Sequence, residues 1–88
     1  MQTLHVRIIS PQQLLFDTQA LSVSSKNTQG KFDILPEHAN FITVIENYPI
    51  TIRIQNQKPA VFKFPVAIIS TQENKVNIYT YAQPQISR

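Results

Sequence analysis

The sequence predicts an all-β protein, a small antiparallel β-sandwich or flattened barrel of about eight to ten short strands. Apolar and polar residues alternate with a period of two through most of the chain, most clearly from Ile50 to Ile54. This period is typical of strands with one buried face. Polar and proline-containing turn segments recur about every 8 to 12 residues. No window has the spacing of a long amphipathic helix, so we expect none.

The first two strands are predicted on either side of a polar turn. Leu4–Ile8 alternates between apolar and polar residues, and Ser10–Gln13 forms the turn that follows. The second strand begins at Leu14 and resumes at Leu21 after a polar break at Thr18–Gln19. Both strands should therefore present one apolar face to a core.

The only glycine of the chain, Gly30, ends a predicted polar loop over Lys26–Gly30. Glycine adopts positive φ without steric cost, so position 30 is where we expect the backbone to need that conformation. Proline cannot donate to a sheet, so Pro36 should end the next strand. The later strands are predicted at Phe32–Leu35, Phe41–Ile45, Ile50–Ile54, Val61–Phe64 with a continuation at Val66–Ile69 after Pro65, and Val76–Thr80.

Length, cysteine content and charge limit the class of protein. The 88 residues suffice for one domain, and we assign residues 1–88 to a single β-sandwich domain. Without cysteine the chain has no disulfide framework, thiolate metal site or cysteine nucleophile. Its eight Lys and Arg residues are spread along the whole length, which argues against nucleic acid as a partner. No apolar run approaches transmembrane length, so we expect no direct membrane insertion.

The sequence offers little material for catalysis or cofactor binding. A single glycine excludes the glycine-rich loops that bind phosphate. The two histidines are far apart in the sequence and have no nearby pairs of carboxylates at ligand spacing, so no metal site is expected. Ser24, Asp33 and His38 could form a catalytic triad on paper, but such residues occur in almost any domain. We therefore expect no catalytic residue, no cofactor and no enzyme activity; His38 is interpreted as a corner residue bonded to local backbone or as an exposed loop contact.

One segment resembles a known family signature. It consists of Gly30-x-Phe32-x-Ile34-Leu35-Pro36-x-His38-Ala39, followed by Thr43. This pattern resembles the signature of the epsilon subunit of F-type ATP synthases, within its N-terminal β-sandwich domain. The first strand, the Leu15-Phe16 step and Asn74–Val76 resemble the family as well, so the likeness covers almost all of the chain.

The chain also departs from the family pattern. The family usually has glycine at the positions of Asp33, Glu37 and Tyr48, and a glycine pair where Val66 and Ala67 align. We therefore expect local turn geometry to be affected at these positions. Family members commonly continue into a C-terminal helical hairpin, whereas this sequence ends just after the predicted sandwich.

The resemblance implies a non-catalytic rotor subunit that connects the gamma subunit to the ring of c subunits during ATP synthesis driven by protons or sodium ions. The positions that resemble the gamma-facing patch are Ser10, His38, Ala39 and Thr43, with extra apolar area from Phe41 or Ile42 if one points outward. The positions that resemble the c-ring interface are Thr28, Gln29, Gly30 and Lys31. The implied location is the cytoplasmic face of a bacterial-type plasma membrane, as a peripheral part of a hetero-oligomeric complex.

A second interpretation is a stand-alone β-sandwich module that binds a peptide or a glycan. Carbohydrate-binding modules usually present tryptophan or a planar row of tyrosines to the sugar. This chain has no tryptophan, and its three tyrosines form no stripe in the sequence. The rotor interpretation is therefore preferred.

Overall fold

The computed structural model describes residues 2–81, which form nine β-strands in two sheets. The strands are β1 (Leu4–Ile9), β2 (Leu14–Ala20), β3 (Ser22–Asn27), β4 (Gly30–Ile34), β5 (Phe41–Glu46), β6 (Ile50–Arg53), β7 (Ala60–Phe62), β8 (Val66–Gln72) and β9 (Lys75–Thr80). A five-stranded sheet has the order β2-β1-β9-β8-β5, and a four-stranded sheet has the order β4-β3-β6-β7. This architecture confirms the predicted all-β sandwich. None of the described residues forms a helix that could cross a membrane.

The core lies between the two sheets and is built from the alternate positions that the period of two predicts. Fourteen apolar residues are buried there. In β6, for example, Ile50 and Ile52 are fully buried while Arg53 is exposed. The partly buried rings of Phe16 and Phe62 meet edge to face across the two sheets, with centroids 4.9 Å apart. The hydrophobic alternation therefore identified the inner faces correctly.

One strand pair departs from the antiparallel arrangement. The first and last described strands, β1 and β9, run parallel, with Val6 opposite Val76 and Ile8 opposite Ile78. The other six strand pairs among residues 2–81 are antiparallel. Because β9 lies between β1 and β8, the two ends of the described chain meet in the middle of the larger sheet.

The predicted polar break in the second strand is wrong. Thr18 and Gln19 do not break the second strand, because they pair with Val6 and His5 on an edge strand where polar side chains remain hydrated. The chain instead changes sheets at Leu21, whose amide donates to the Arg53 carbonyl at 2.7 Å.

The predicted loop Lys26–Gly30 is much shorter in the structure. β3 and β4 pair as far as Asn27 opposite Gly30, so only Thr28 and Gln29 form the turn. Gly30 has a φ of 125°, which confirms the positive φ expected at this position. Polar residues here mark an exposed hairpin rather than an irregular loop.

The predicted continuation of one strand across Pro65 is also wrong. β7 ends at Phe62 in the four-stranded sheet, and β8 begins at Val66 in the five-stranded sheet. The segment between them crosses the sandwich, and the buried ring of Phe64 fills the core on the way. Proline, which cannot continue a ladder, marks this change of sheet.

Candidate protein-interaction surfaces

The four residues predicted to face the c-ring lie together at the end of the β3–β4 hairpin. Thr28, Gln29 and Lys31 are exposed, and Gly30 is half-buried. The amide of Gln29 donates to Asn27 Oδ1 at 2.8 Å, which closes the turn, and Asn27 Nδ2 donates to Thr43 Oγ1 of β5 at 3.0 Å. The hairpin end is therefore a fixed, polar surface that is anchored to the edge of the other sheet.

Ser10, predicted to face the gamma subunit, has a structural role in its own turn. Its hydroxyl donates to the Gln13 carbonyl at 3.1 Å and accepts from the Gln13 amide at 3.2 Å. Ser10 is only 5% exposed. Only a small part of this side chain is available to a partner.

His38 and Ala39 are exposed at the corner that leads into β5. His38 Nδ1 lies 2.8 Å from the Ala39 carbonyl oxygen, and its ring centroid lies 5.7 Å from that of Phe41. His38 is therefore bonded to local backbone and is also exposed to solvent. Both interpretations given above, a locally bonded corner residue and an exposed loop contact, fit its position.

The predicted gamma-facing residues do not form one cluster. His38 and Ala39 lie next to Phe41, which pairs with Thr71 at one end of the larger sheet. Ser10 follows β1 at the opposite end of the same sheet. The Thr43 side chain is half-buried and accepts the Asn27 hydrogen bond on the inner side. Ile42 points outward and is 72% exposed, so the expected extra apolar area comes from this residue.

The outer face of the five-stranded sheet carries an exposed apolar surface that sequence reasoning missed. Register pairs place five apolar residues side by side across all five strands. We call this set the apolar row; its members are Leu14, Ile9, Tyr79, Ile68 and Val44. Four of them are between 36% and 51% exposed, and Ile9 is half-buried. Val66, Ile42 and Tyr81 extend the exposed apolar surface around the row.

A sequence signal for this surface does exist in β8. Val66, Ala67, Ile68 and Ile69 are consecutive apolar residues, so both faces of the strand are apolar there. Such a run is typical of a strand covered on both sides. In this domain the inner face meets the core, and the outer face of the same strand is open to solvent. Exposed apolar patches of this kind mark interaction sites.

The rest of the outer face is mostly polar. Arg7 lies opposite Asp17, and His5 Nε2 lies 2.5 Å from Asp17 Oδ1. Polar residues therefore occupy the end of the face near the β8–β9 turn, and the apolar row occupies the end near Ser10. A partner that covers the apolar row would meet a polar rim along one side, as in typical protein interfaces.

The structure brings together only two of the three residues considered for a catalytic triad. Ser24 Oγ donates to Asp33 Oδ1, but the His38 ring contacts Ala39 and Phe41 instead, so the triad drawn on paper is not assembled. No group of three or more potential metal ligands occurs among residues 2–81.

Comparisons with known proteins agree with the observed β-sandwich fold. Residues 3–82 match the family model described as the beta-sandwich domain of the ATP synthase delta/epsilon chain. The chain is 31% identical over 78 residues to the ATP synthase epsilon chain of Campylobacter concisus and 27% identical over 75 residues to that of Streptomyces avermitilis. These alignments cover 89% and 85% of this chain, but 60% of each relative. The chain thus spans about 60% of the length of these relatives.

Solved structures share the fold at low sequence identity. A chain of the mitochondrial ATP synthase central stalk and c-ring of Tetrahymena thermophila superposes with a TM-score of 0.73 at 15% identity, over 92% of this chain and 65% of that one. A chain of the Euglena gracilis mitochondrial ATP synthase gives a TM-score of 0.81 at 10% identity, over 93% and 53%. On the match over residues 3–82, the chain belongs to the family of the β-sandwich domain of the ATP synthase delta/epsilon chain.

Proposed function

We propose that this chain is a non-catalytic central-stalk subunit of an F-type ATP synthase, which connects the gamma subunit to the c-ring so that torque passes between them. Membership of the delta/epsilon family and the epsilon-chain relatives support this role. In this role the chain would be a peripheral subunit at the cytoplasmic face of a bacterial-type plasma membrane. It would carry no catalytic nucleotide site and would catalyse no reaction.

The observation that carries the proposal is the apolar row. A rotor connector needs a rigid body with surfaces that remain attached to two partners under load. The outer face of the larger sheet is rigid because five hydrogen-bonded strands support it. Its exposed aliphatic and aromatic side chains can supply the apolar core of an interface. We assign this face to the gamma subunit, with His38 and Ala39 at its rim.

The second surface is the β3–β4 hairpin end, which we assign to the c-ring. Its exposed residues are polar, in keeping with a contact to loops at the surface of a membrane ring. The hydrogen bond between Asn27 and Thr43 ties this end to β5, the strand that carries Val44 and Ile42. The two surfaces are therefore mechanically connected through one strand.

Binding to the cognate gamma subunit tests the proposal. Ile68→Lys and Val44→Lys place a charge in the apolar row, and each should weaken gamma binding by about tenfold or more, because burying an unpaired charge in an interface costs more than the roughly 1.4 kcal/mol that a tenfold change represents. Because both side chains already face solvent, the melting temperature should stay close to that of the wild type. Titration calorimetry measures the binding.

Val61→Lys is the matched control. Val61 is 58% exposed in β7, on the other sheet, so this change adds the same charge away from the proposed interface. It should leave gamma binding unchanged. No binding of the wild-type chain at tens of micromolar, or equal loss in all three variants, would contradict the proposal. His38→Glu at the rim should weaken binding less than either change in the apolar row.

A further inference from the structure

The β3–β4 hairpin holds two lysines directly opposite each other. Lys26 of β3 pairs with Lys31 of β4, one step from the Asn27–Gly30 pair that closes the hairpin. Both side chains are exposed and, as cross-strand neighbours, they extend from the same face of the sheet. Among the strand pairs of residues 2–81, no other position places two permanent positive charges opposite each other.

The pair is unfavourable for the isolated domain. Like charges directly opposite each other on a sheet destabilise it. No carboxylate within residues 2–81 lies at ion-pair distance from either lysine; the sole contact of that kind in this part of the chain joins His5 and Asp17. Asp33, the closest acid along β4, instead accepts a hydrogen bond from Ser24. The Lys26 ammonium lies 5.7 Å from the centre of the Tyr48 ring, which leaves its charge unneutralised.

The geometry favours one carboxylate as the missing partner. Cβ atoms of opposed residues are about 4.5–5.5 Å apart, so two ammonium groups can reach the two oxygens of one carboxylate from either side. A phospholipid surface is recognised by clusters of about four to eight Lys and Arg residues. This hairpin presents only two, and Glu46, which borders the same hollow as Lys26, forms no ion pair with it. A membrane surface therefore fits the local charge less well than a single acidic side chain does.

We propose that Lys26 and Lys31 together bind a carboxylate side chain presented by the c-ring. This rests on the proposed function, because it identifies the chemistry of the partner at the hairpin end assigned above to the ring. Binding neutralises a repulsion that the free domain retains, so the pair weakens the free chain and strengthens the complex. The Asn27 contacts fix the backbone from which both lysines extend, so little order has to be gained on binding.

Substitution of one lysine by glutamate separates stability from binding. In Lys31→Glu the cross-strand pair becomes Lys opposite Glu, so the free chain should melt about 1 to 6 °C higher than wild type. The same change places a negative charge against the proposed carboxylate and should weaken binding to the purified c-ring. Lys31→Gln removes the charge alone and should weaken c-ring binding roughly two- to fivefold. Calorimetry and binding to the c-ring in detergent measure these two effects.

Lys63→Glu is the matched control. Lys63 is an exposed lysine just beyond β7, at the opposite edge of the same sheet, and the change alters net charge by the same amount. Lys63→Glu should change the melting temperature and c-ring binding much less than Lys31→Glu does. Added salt should weaken binding of the wild-type chain more than that of Lys31→Gln, because the salt-sensitive contact is already lost in the variant.

The outcomes distinguish this proposal from the proposed function. If the wild-type chain binds the c-ring and Lys31→Glu binds equally well, the carboxylate contact is wrong while the rotor role remains. If the wild-type chain binds gamma but not the c-ring at tens of micromolar, the c-ring half of the proposed function fails as well. Lysine-dependent binding to phosphatidylglycerol vesicles, with lysine-independent binding to the ring, would overturn the proposal in favour of a lipid headgroup.

Discussion

Glu37 occupies a backbone position that suits glycine. Its φ of 67° lies in the left-handed region, and it is one of the five positions where the resemblance described above implies glycine. The other four, Asp33, Tyr48, Val66 and Ala67, do not have positive φ. Among these positions, only Glu37 has the left-handed backbone for which glycine is suited. No local pattern in the sequence separates Glu37 from the other four positions.

Glu37→Gly should stabilise the chain by about 0.5 kcal/mol. Left-handed backbone costs an L-residue about 1–2 kcal/mol, and glycine avoids this at a cost of about 0.5–1 kcal/mol in unfolded-chain entropy. The variant also loses the exposed hydrogen bond that Gln2 Nε2 donates to Glu37 Oε2 at 2.8 Å. Urea unfolding gives the free energy of unfolding. Glu37→Ala, which loses the bond but keeps the strain, should be less stable than Glu37→Gly, and the reverse order would contradict this explanation.

The four residues predicted to face the c-ring lie together in the β3–β4 hairpin, but the local structure around them was predicted wrongly. The sequence indicated a polar segment that ends in glycine, and the predicted residues do lie together. A five-residue loop and a two-residue hairpin turn have the same polar composition, however. The difference depends on cross-strand pairing and on the Asn27 side chain, which bonds to Gln29 nearby and to Thr43 far along the chain.

Asn27→Ala should lower the free energy of unfolding by about 1–2 kcal/mol, because it removes both side-chain hydrogen bonds that hold the hairpin end. Thr43→Val is the companion variant, since it removes only the bond to β5 and leaves the turn closed by Asn27. It should cost about half as much. Equal losses in the two variants would mean that the bond to the Gln29 amide contributes nothing to the hairpin. Chemical denaturation monitored by circular dichroism measures both.

At the scale of the whole molecule, period-two alternation predicted the sandwich and most of the inner face. It could not predict how the strands pair, because pairing depends on contacts between residues distant in sequence. The parallel contact of β1 with β9 joins residues about seventy positions apart, and no local feature of either strand specifies a parallel partner. The apolar row could not be predicted for the same reason. Ile9 and Val44 are unremarkable in the sequence and become one surface only when five strands align.

Ile68 and Ile69 provide a direct test of whether the inner face of β8 supports the fold while its outer face binds a partner. They are neighbours in β8, but Ile69 is fully buried between the sheets and Ile68 is 36% exposed in the apolar row. Ile69→Ala should lower the free energy of unfolding by about 2–5 kcal/mol, a large share of the roughly 4–13 kcal/mol expected for a domain of this length. Ile68→Ala should change it by about 0.5 kcal/mol or less.

The two variants should affect binding to the gamma subunit in the opposite order. At a temperature where both variants are folded, Ile68→Ala should weaken binding, and Ile69→Ala should bind like the wild type because its side chain does not reach the outer face. Parallel losses of stability and affinity in both variants would mean that the outer face of β8 supports the fold rather than a partner. A loss of affinity confined to Ile68→Ala would show that the inner face of β8 belongs to the core and the outer face to an interface.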